Sequence, residues 1–511
     1  MGQETGVLME KYRDLELPST EVEVSMPAST GITTSLEAII SILDGARDFK
    51  TIEQKCFALG MALAAQIFEN VLICLDEELA RTRPSTLKSK GMSKRDIQTI
   101  FGEVTVRRRR YREEEEGNLK KDGYRYLLDE ALGLPPEERI SPGLTEALVE
   151  GAVEEPFRQV VERRREAGLP TPSHTTVHNL TRKLGEMASR EQEEQRRAVF
   201  EYAQELPGEK KEVACLFLEA DGTMVHLQRE EQKLGEVKIG LSYEGWEKRT
   251  PGSKEYTLVN PMVNCGVFSD SDAFWETTAA RLSRKYDLDH STYTVLNSDG
   301  AGWINGAGDY FDGIQKQLDR FHLYRNIRAT FGAEEGSSLI GLLGRGDVRA
   351  FMEAMEASIN NGKTREDRVK RRAVFNFCKE HEGELLDYRL REEQPPQGMV
   401  LRGMGAIEPY VDKVIANRMK KRGMRWTLAG ADAMARLRAL KVNGELHAYA
   451  SRRISWEVRT DAKIVARVKE RVLEDPEAWL RKAIPALYGP HGDRPWVRAI
   501  RELLSGKEAV I

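Results

Sequence analysis

Between residues 213 and 298 the apolar positions follow strand periods, and on either side of that block they follow helical ones. Val213 to Ala220 is an almost continuous apolar run, the pattern of a central strand buried on both faces. Met224 to Gln228 follows as its expected hairpin neighbour, and Val237, Ile239, Leu241 and Tyr243 alternate as a third strand. The spacing then predicts a helix over Ser271 to Tyr286 and a fourth strand over Tyr293 to Ser298. Upstream, Ser35 to about Arg81 is helical in period, as in Ile39, Ile42 and Leu43, and Ser85 to Ser93 reads as a polar linker. F-G-E-V-T-V-R-R-R-R-Y-R reads as a strand that returns across E-E-E-E-G-N into G-Y-R-Y-L-L. Residues 331 to 400 are polar and helical, closed by Pro395 and Pro396, and the tail from Trp456 is patterned as helix around Trp479 and Trp496.

Residues 145 to 185 predict two packed helices. Pro156 suits the first turn of one and Gly168 its end, with Phe157, Val160 and Val161 as the apolar stripe. After L-P-T-P, Ser173 is the expected N-cap of the next. Val177, Leu180 and Leu184 form its inner face, and His174, Thr175, His178, Asn179, Arg182 and Lys183 its outer face. That is helix-turn-helix spacing, and such a second helix can enter a major groove.

Three strings place carboxylates at the edges of these elements: L-F-L-E-A-D-G-T at Asp221, T-V-L-N-S-D-G-A-G-W at Asp299 and G-A-I-E-P-Y at Glu408. Brought together, three such groups could hold two divalent cations about 3.5–4 Å apart against a phosphodiester, activating the nucleophile and stabilising the leaving oxygen. Magnesium prefers such oxygen ligands, with manganese as an alternative. Each acid also has a plainer role. Asp221-Gly222 is a good hairpin turn, Asp299-Gly300 could cap the helix after it, and Glu408 before Pro409 could only complement a helix dipole. Glu382, Glu384 and Glu445 compete for the third place. In L-D-R-F-H-L, Asp319 and His322 stand three apart and would share a helix face. The order β-β-β-α-β with acids at strand ends predicts an α/β catalytic core of RNase H-like type.

Composition narrows the class. The chain has 511 residues, 31% of them charged, and a net charge of -4. That balance hides basic runs at Arg107 to Arg110 and Arg418 to Arg425, so nucleic acid is not excluded. Five scattered cysteines without a C-x-x-C pair argue against a zinc ribbon and fit a reducing cytosol. No secretion signal, phosphate loop, Gly-x-Ser-x-Gly elbow or H-E-x-x-H helix is visible. Met61 to Leu75, interrupted by Gln66, Glu69 and Asn70, is expected to be too short and too polar to span a bilayer.

The strings in combination resemble prokaryotic insertion-sequence transposases of the ISLre type and, more distantly, Mutator-type DDE transposases. The likeness runs from about residue 35 to about 455. It rests on F-G-E-V-T-V-R-R-R-R-Y, L-L-D-E-A-L-G-L, A-D-G-T-M-V-H-L-Q, K-I-G-L-S-Y-E-G-W, N-S-D-G-A-G-W-I, L-D-R-F-H-L and E-P-Y-V-D-K-V-I-A-N-R-M-K-K-R-G-M-R-W. P-F-R-Q-V-V departs from the serine-tyrosine start usual there. The resemblance implies an RNase H-like mixed five-stranded sheet with a helical insertion, preceded by a mainly helical DNA-binding region. It implies a DDE triad of Asp221, Asp299 and Glu408 on two magnesium ions, supported by Asp319 and His322. Arg418, Lys420, Lys421 and Arg422 would contact phosphates beside the third acid. The expected segments are a loosely ordered 1–34, a helical and hairpin 35–140, a helix-turn-helix with linker helix at 141–208, and core at 209–330. A helical insertion at 331–403, core with third acid and basic helix at 404–455, and a helical tail at 456–511 follow. The implied activity is cleavage at element ends and strand transfer into target DNA, by a cytoplasmic, nucleoid-associated homo-oligomer, at least a dimer, with no membrane partner. A nuclease of the same fold that does not join strands, or a domesticated DNA-binding protein, are the alternatives.

Overall fold

A computed structural model describes residues 48–115, 118–119, 123–288, 293–392, 395–396, 398–455, 462–474, 488 and 493. The expected loose N-terminus, residues 1–34, and most of the tail, with Trp456, Trp479 and Trp496, lie outside them. The chain divides into two compact units, one of Met1–Phe57 with Val465–Ile511 and one of Ala58–Ile464. In the first, most described residues are helical, at the start of helix α1 (Phe49–Thr82) and within Ala462–Glu474.

The larger unit is an α/β protein built on a mixed five-stranded sheet. Strands β1 (Leu87–Thr99) and β2 (Gly102–Glu115) form a separate antiparallel hairpin near α1. The central sheet contains β3 (Leu216–His226), β4 (Leu234–Tyr243), β5 (Met262–Gly266), β6 (Thr294–Ser298) and β7 (Gln315–Leu318), in spatial order β7-β6-β3-β4-β5. Strand β4 runs antiparallel to both its neighbours, β3 and β5; β6 runs parallel to β3, and β7 parallel to β6. Both faces are covered, which is why β3 is apolar nearly throughout. One face sets Leu216, Leu218 and Leu296 against Phe274, Trp275 and Leu282 of helix α6 (Ser271–Lys285). The other sets Phe217, Ile239, Leu241, Tyr243 and Val295 against Val414, Ile415, Met419 and Met434 from the chain beyond Glu408.

Before the sheet come helices α2 (Leu127–Leu132), α3 (Pro142–Glu154), α4 (Phe157–Glu166) and α5 (His174–Phe200). Ser173 caps α5 as its type and place predicted, accepting the Thr176 N–H at 3.1 Å. Gly168, after α4, has φ +69°, a conformation that favours glycine. Helix α5 crosses α12 (Leu428–Val442) so closely that a Cβ on Gly185 would fall 2.5 Å from the Ala433 Cβ. This contact fixes the helix-turn-helix segment to the sheet's own covering layer. Between β7 and Glu408, α7 (Arg320–Phe331), α8 (Ala333–Gly344), α9 (Val348–Ser358) and α10 (Arg365–Glu380) share a core of Leu323, Ile327, Leu339, Phe351 and Phe375. Glu408 lies on α11 (Ile407–Val411), which continues with wider π-helical winding over Asp412–Lys420.

Several sequence expectations need correction. Val213 to Ala220 and Met224 to Gln228 are not two strands. The chain passes through Asp221-Gly222 without turning, and the hairpin partner of β3 is β4. The polar linker at Ser85 to Ser93 lies largely in β1, which pairs with β2 in place of G-Y-R-Y-L-L, although Tyr111 and Arg125 do exchange backbone hydrogen bonds. Two arginines of the run are anchored by aspartates: Arg109 reaches Asp76 at 2.5 Å, and Arg108 pairs with Asp129. Helix α1 is one continuous helix of 34 residues, and by length and composition it is long enough and apolar enough to cross a membrane. Its polar Asn70, Asp76 and Glu78 are buried.

Candidate active site

Sheet register brings the acids together. Glu219 on β3 stands opposite Asn297 on β6, and Asn297 opposite Gln317 on β7. Two residues further along come Asp221, still within β3, and Asp299 and Asp319, each the first residue past the end of its strand. They form a row where the two shorter parallel strands end and β3 runs on.

Asp221 is partly buried, and its Oδ1 accepts the Gly222 N–H at 2.7 Å. Burial raises its pKa to about 6; the charges of Asp299 and Glu408 push it further up, while the Gly222 hydrogen bond and His322 oppose the shift. Asp299 is exposed and accepts the Ala301 N–H at 2.9 Å. The turn after it needs glycine: Gly300 has φ +90°, and a Cβ there would lie 2.7 Å from the Phe377 ring of α10. Glu408 meets His322, with Oε1 2.9 Å from Nε2. His322 Nδ1 lies 2.8 Å from Oδ2 of Asp319, which also caps α7 by accepting the His322 N–H at 3.0 Å. Asp319 and His322 thus form a chain of contacts ending on the third acid. Two of the competing acids are engaged elsewhere, Glu384 with His381 at 3.2 Å and Glu445 with Arg281 at 2.9 Å.

The sequence reading missed Glu219. Its carboxylate is buried and accepts the Tyr243 hydroxyl at 2.6 Å and the backbone N–H groups of Gly405, Ala406 and Ile407 at 3.0–3.2 Å. Asn297 links it to Asp319, donating to Oδ1 at 3.1 Å and to Glu219 at 3.4 Å. Burial pushes the Glu219 pKa up against the pull of those donors. The group anchors the loop that presents Glu408.

Chemically, the cluster suits a hard divalent cation. Three carboxylates repel one another, and among the described residues no lysine or arginine pairs with Asp221, Asp299 or Glu408. Oxygen ligands on rigid strand ends, with a charge deficit, are what magnesium requires. Among the described residues, the group whose ligand atoms already lie within 4.8 Å of one another is a different one, Glu146 and Glu150 on α3 with His447 on helix α13 (Leu446–Ile454), where His447 pairs with Glu146 at 2.7 Å.

The six outer-face residues of α5, His174, Thr175, His178, Asn179, Arg182 and Lys183, are all exposed. Arg182 approaches Glu186 at 3.3 Å and Lys183 approaches Glu138 at 3.5 Å. Lys420 donates to Thr223 Oγ1 at 2.9 Å, close to Asp221, and Lys421 pairs with Asp412 at 3.0 Å. The Arg422 side chain lies outside the described residues. Arg418 does not reach outward as expected. It is buried, donates to the Ala152 carbonyl at 2.9 Å, and stacks between Phe157 and Trp426 at 5.2 and 5.1 Å. The wide π turns carry it inward, where it ties α3 and α4 to the third-acid helix. Arg418→Ala is therefore expected to lower stability by about 2–4 kcal/mol through lost packing and an unpaired carbonyl. Denaturant unfolding of both proteins checks this; an unchanged midpoint would return Arg418 to a surface role. Trp426 is core, its Nε1 donating to the Met419 carbonyl at 2.9 Å.

The fold and cluster define an α/β protein with a carboxylate group at the end of a mixed sheet. The chain belongs to UPF0236, an uncharacterised protein family, whose model matches residues 43–459. It is 26% identical over 418 residues to a UPF0236 protein in the vanSb 3' region of Streptococcus gallolyticus, covering 78% of this chain and 85% of the relative. A UPF0236 protein of Caldanaerobacter subterraneus subsp. tengcongensis is 24% identical over 389 residues, covering 76% of this chain and 75% of its own; its name joins eleven loci.

Proposed function

We propose that this protein is a DNA transposase of the DDE class with an RNase H-like core. The observation that carries the reading is the convergence of Asp221, Asp299 and Asp319 at one end of the sheet, with Glu408 joined to Asp319 through His322. The strand order, with one antiparallel strand and the acids where the parallel strands end, supports that core. A relative named for eleven loci of one genome fits a gene that moves and leaves copies.

Two magnesium ions held by Asp221, Asp299 and Glu408 would lower the pKa of the attacking hydroxyl and neutralise charge on the phosphate. The chain's own residues do the placing. Asp319 orients His322, and His322 steadies the Glu408 carboxylate. Lys420, resting on Thr223, offers charge to a phosphate beside Asp221. In the first reaction water attacks the phosphodiester at the element end, the bond to the 3′ oxygen breaks, and a 3′-hydroxyl is freed. In the second, that hydroxyl attacks a target phosphodiester, whose own 3′ oxygen leaves. The outer face of α5 would read the terminal repeats, and two ends held together call for at least a dimer, acting in the cytoplasm where the chromosome lies.

The test is cleavage of DNA carrying the sequences that flank the gene, with magnesium or manganese. Wild type is expected to leave 3′-hydroxyl ends and to join pre-cut ends to a plasmid. Asp299→Asn and Glu408→Gln should each cut at least about a hundredfold less. Cutting without joining would leave a nuclease, and wild-type protein that binds DNA without cutting would leave a binding protein.

A further inference from the structure

Between the helix-turn-helix segment and the sheet lies a groove of about 620 Å³. Its walls come from four separate stretches of chain: Arg158 on α4, His178 and Arg182 on α5, Arg229 in the turn after β3, and Arg425 before α12. Its floor is the packed set of Phe157, Arg418 and Trp426. No aspartate or glutamate lines it, in a chain with 82 acids to 78 bases. Arg158, Arg229 and Arg425 are exposed, and none has a hydrogen-bond or ion-pair partner among the described residues. Arg371 and Arg436, by contrast, are engaged with Glu335 and Asp432. Three unpaired guanidinium groups converging from three elements form a surface for a polyanion.

The groove also has a fixed relation to the acids. The segment around Trp426 is hydrogen-bonded to the end of β3, Trp426 N–H to the His226 carbonyl at 2.9 Å and Gln228 N–H to the Trp426 carbonyl at 2.8 Å. Gln228 lines the groove, and seven residue steps of extended chain lead to it from Asp221. They span at most about 24 Å. That is the length of roughly seven base pairs at 3.4 Å each.

We propose that this groove grips the phosphate backbone of duplex DNA, with Arg158, Arg229 and Arg425 as phosphate contacts beside the reading face of α5. The site is composite: two of its three arginines belong to the sheet region, so the helix-turn-helix alone is an incomplete reader. The inference rests on the transposase reading for its choice of DNA, and the distance places gripped duplex and cutting site on one molecule of DNA.

The experiment uses the full chain and fluorescently labelled duplex DNA of mixed sequence, titrated across a range of salt. The triple variant Arg158→Gln, Arg229→Gln, Arg425→Gln is expected to bind at least about tenfold more weakly, and its log-affinity against log-salt slope should fall by roughly 2–3. The matching lysine variant should keep most of the slope, and thermal melts of all three proteins control for folding. Unchanged affinity and slope in the glutamine variant overturns the groove, as does absence of DNA binding by wild type or tighter binding to an RNA duplex of the same sequence. Cleavage by wild type and Asp221→Asn separates the two readings. A lost slope with no wild-type cleavage keeps the groove and ends the transposase reading; cleavage with an unaltered slope does the reverse.

Discussion

Replacing Asp221 by asparagine is expected to give a more stable protein that no longer cuts DNA. The folded carboxyl has a pKa of about 6 against an ordinary 3.8, so the native state holds the proton more tightly than the unfolded chain does. The stability from that preference is complete below about pH 4 and is lost as pH rises through about 6. At neutral pH without divalent cations, the ionised group therefore strains the fold by about 1–3 kcal/mol. Asparagine keeps an oxygen for the Gly222 N–H and removes the charge. Thermal melts in chelator should show the variant melting higher, and the gap should shrink toward acid. Added magnesium should stabilise wild type by mass action and leave the variant where it was. Equal magnesium stabilisation of both proteins, or a variant that melts lower at neutral pH, would contradict a shared cation site.

The second large effect is expected at Glu219, which touches no substrate in this reading. Glu219→Gln puts an N–H₂ group among donors and leaves at least one buried N–H of the 405–407 loop unmatched, a loss of about 2–4 kcal/mol. The loop would then hold Glu408 loosely. Turnover at saturating magnesium should fall roughly ten- to a hundredfold, and half-activation should need more metal. Duplex binding in the absence of metal should be untouched, because the groove arginines lie on other elements. A variant that unfolds at a lower denaturant concentration but keeps its metal requirement would make Glu219 a purely structural residue.

The uneven legibility of this chain has physical causes. Ser173 and Pro156 announced helices because capping is local chemistry, and the Asp-Gly strings announced strand-edge acids because apolar runs lead into them. Asp221-Gly222 was misleading for the same local reason: the dipeptide favours turns, yet pairing with Ile239 and Lys238 across the ladder keeps it extended. Strand β7, K-Q-L with a leading glutamine, has no hydrophobic signature. Its Gln317 is buried because Asn297 and the Tyr388 backbone saturate it. Glu219 was hidden beside Asp221, since nothing in one strand reveals that three N–H groups almost two hundred residues later will converge on it. Arg418 looked like the rest of a basic run; only the wide winding of its helix, a tertiary matter, turns it inward.

The carboxylates arrive from strands and a helix spread along the chain, and Glu408 is locked in only when its loop docks on Glu219. A ribosome that has made everything through β7 has made two acids and the Glu219 anchor, but neither the third acid nor the loop that docks on that anchor. On the transposase reading, chains that stop before Glu408 are therefore harmless to the chromosome that encodes them. Competence to break DNA is conferred only once Glu408 is made, by the docking of its loop on Glu219.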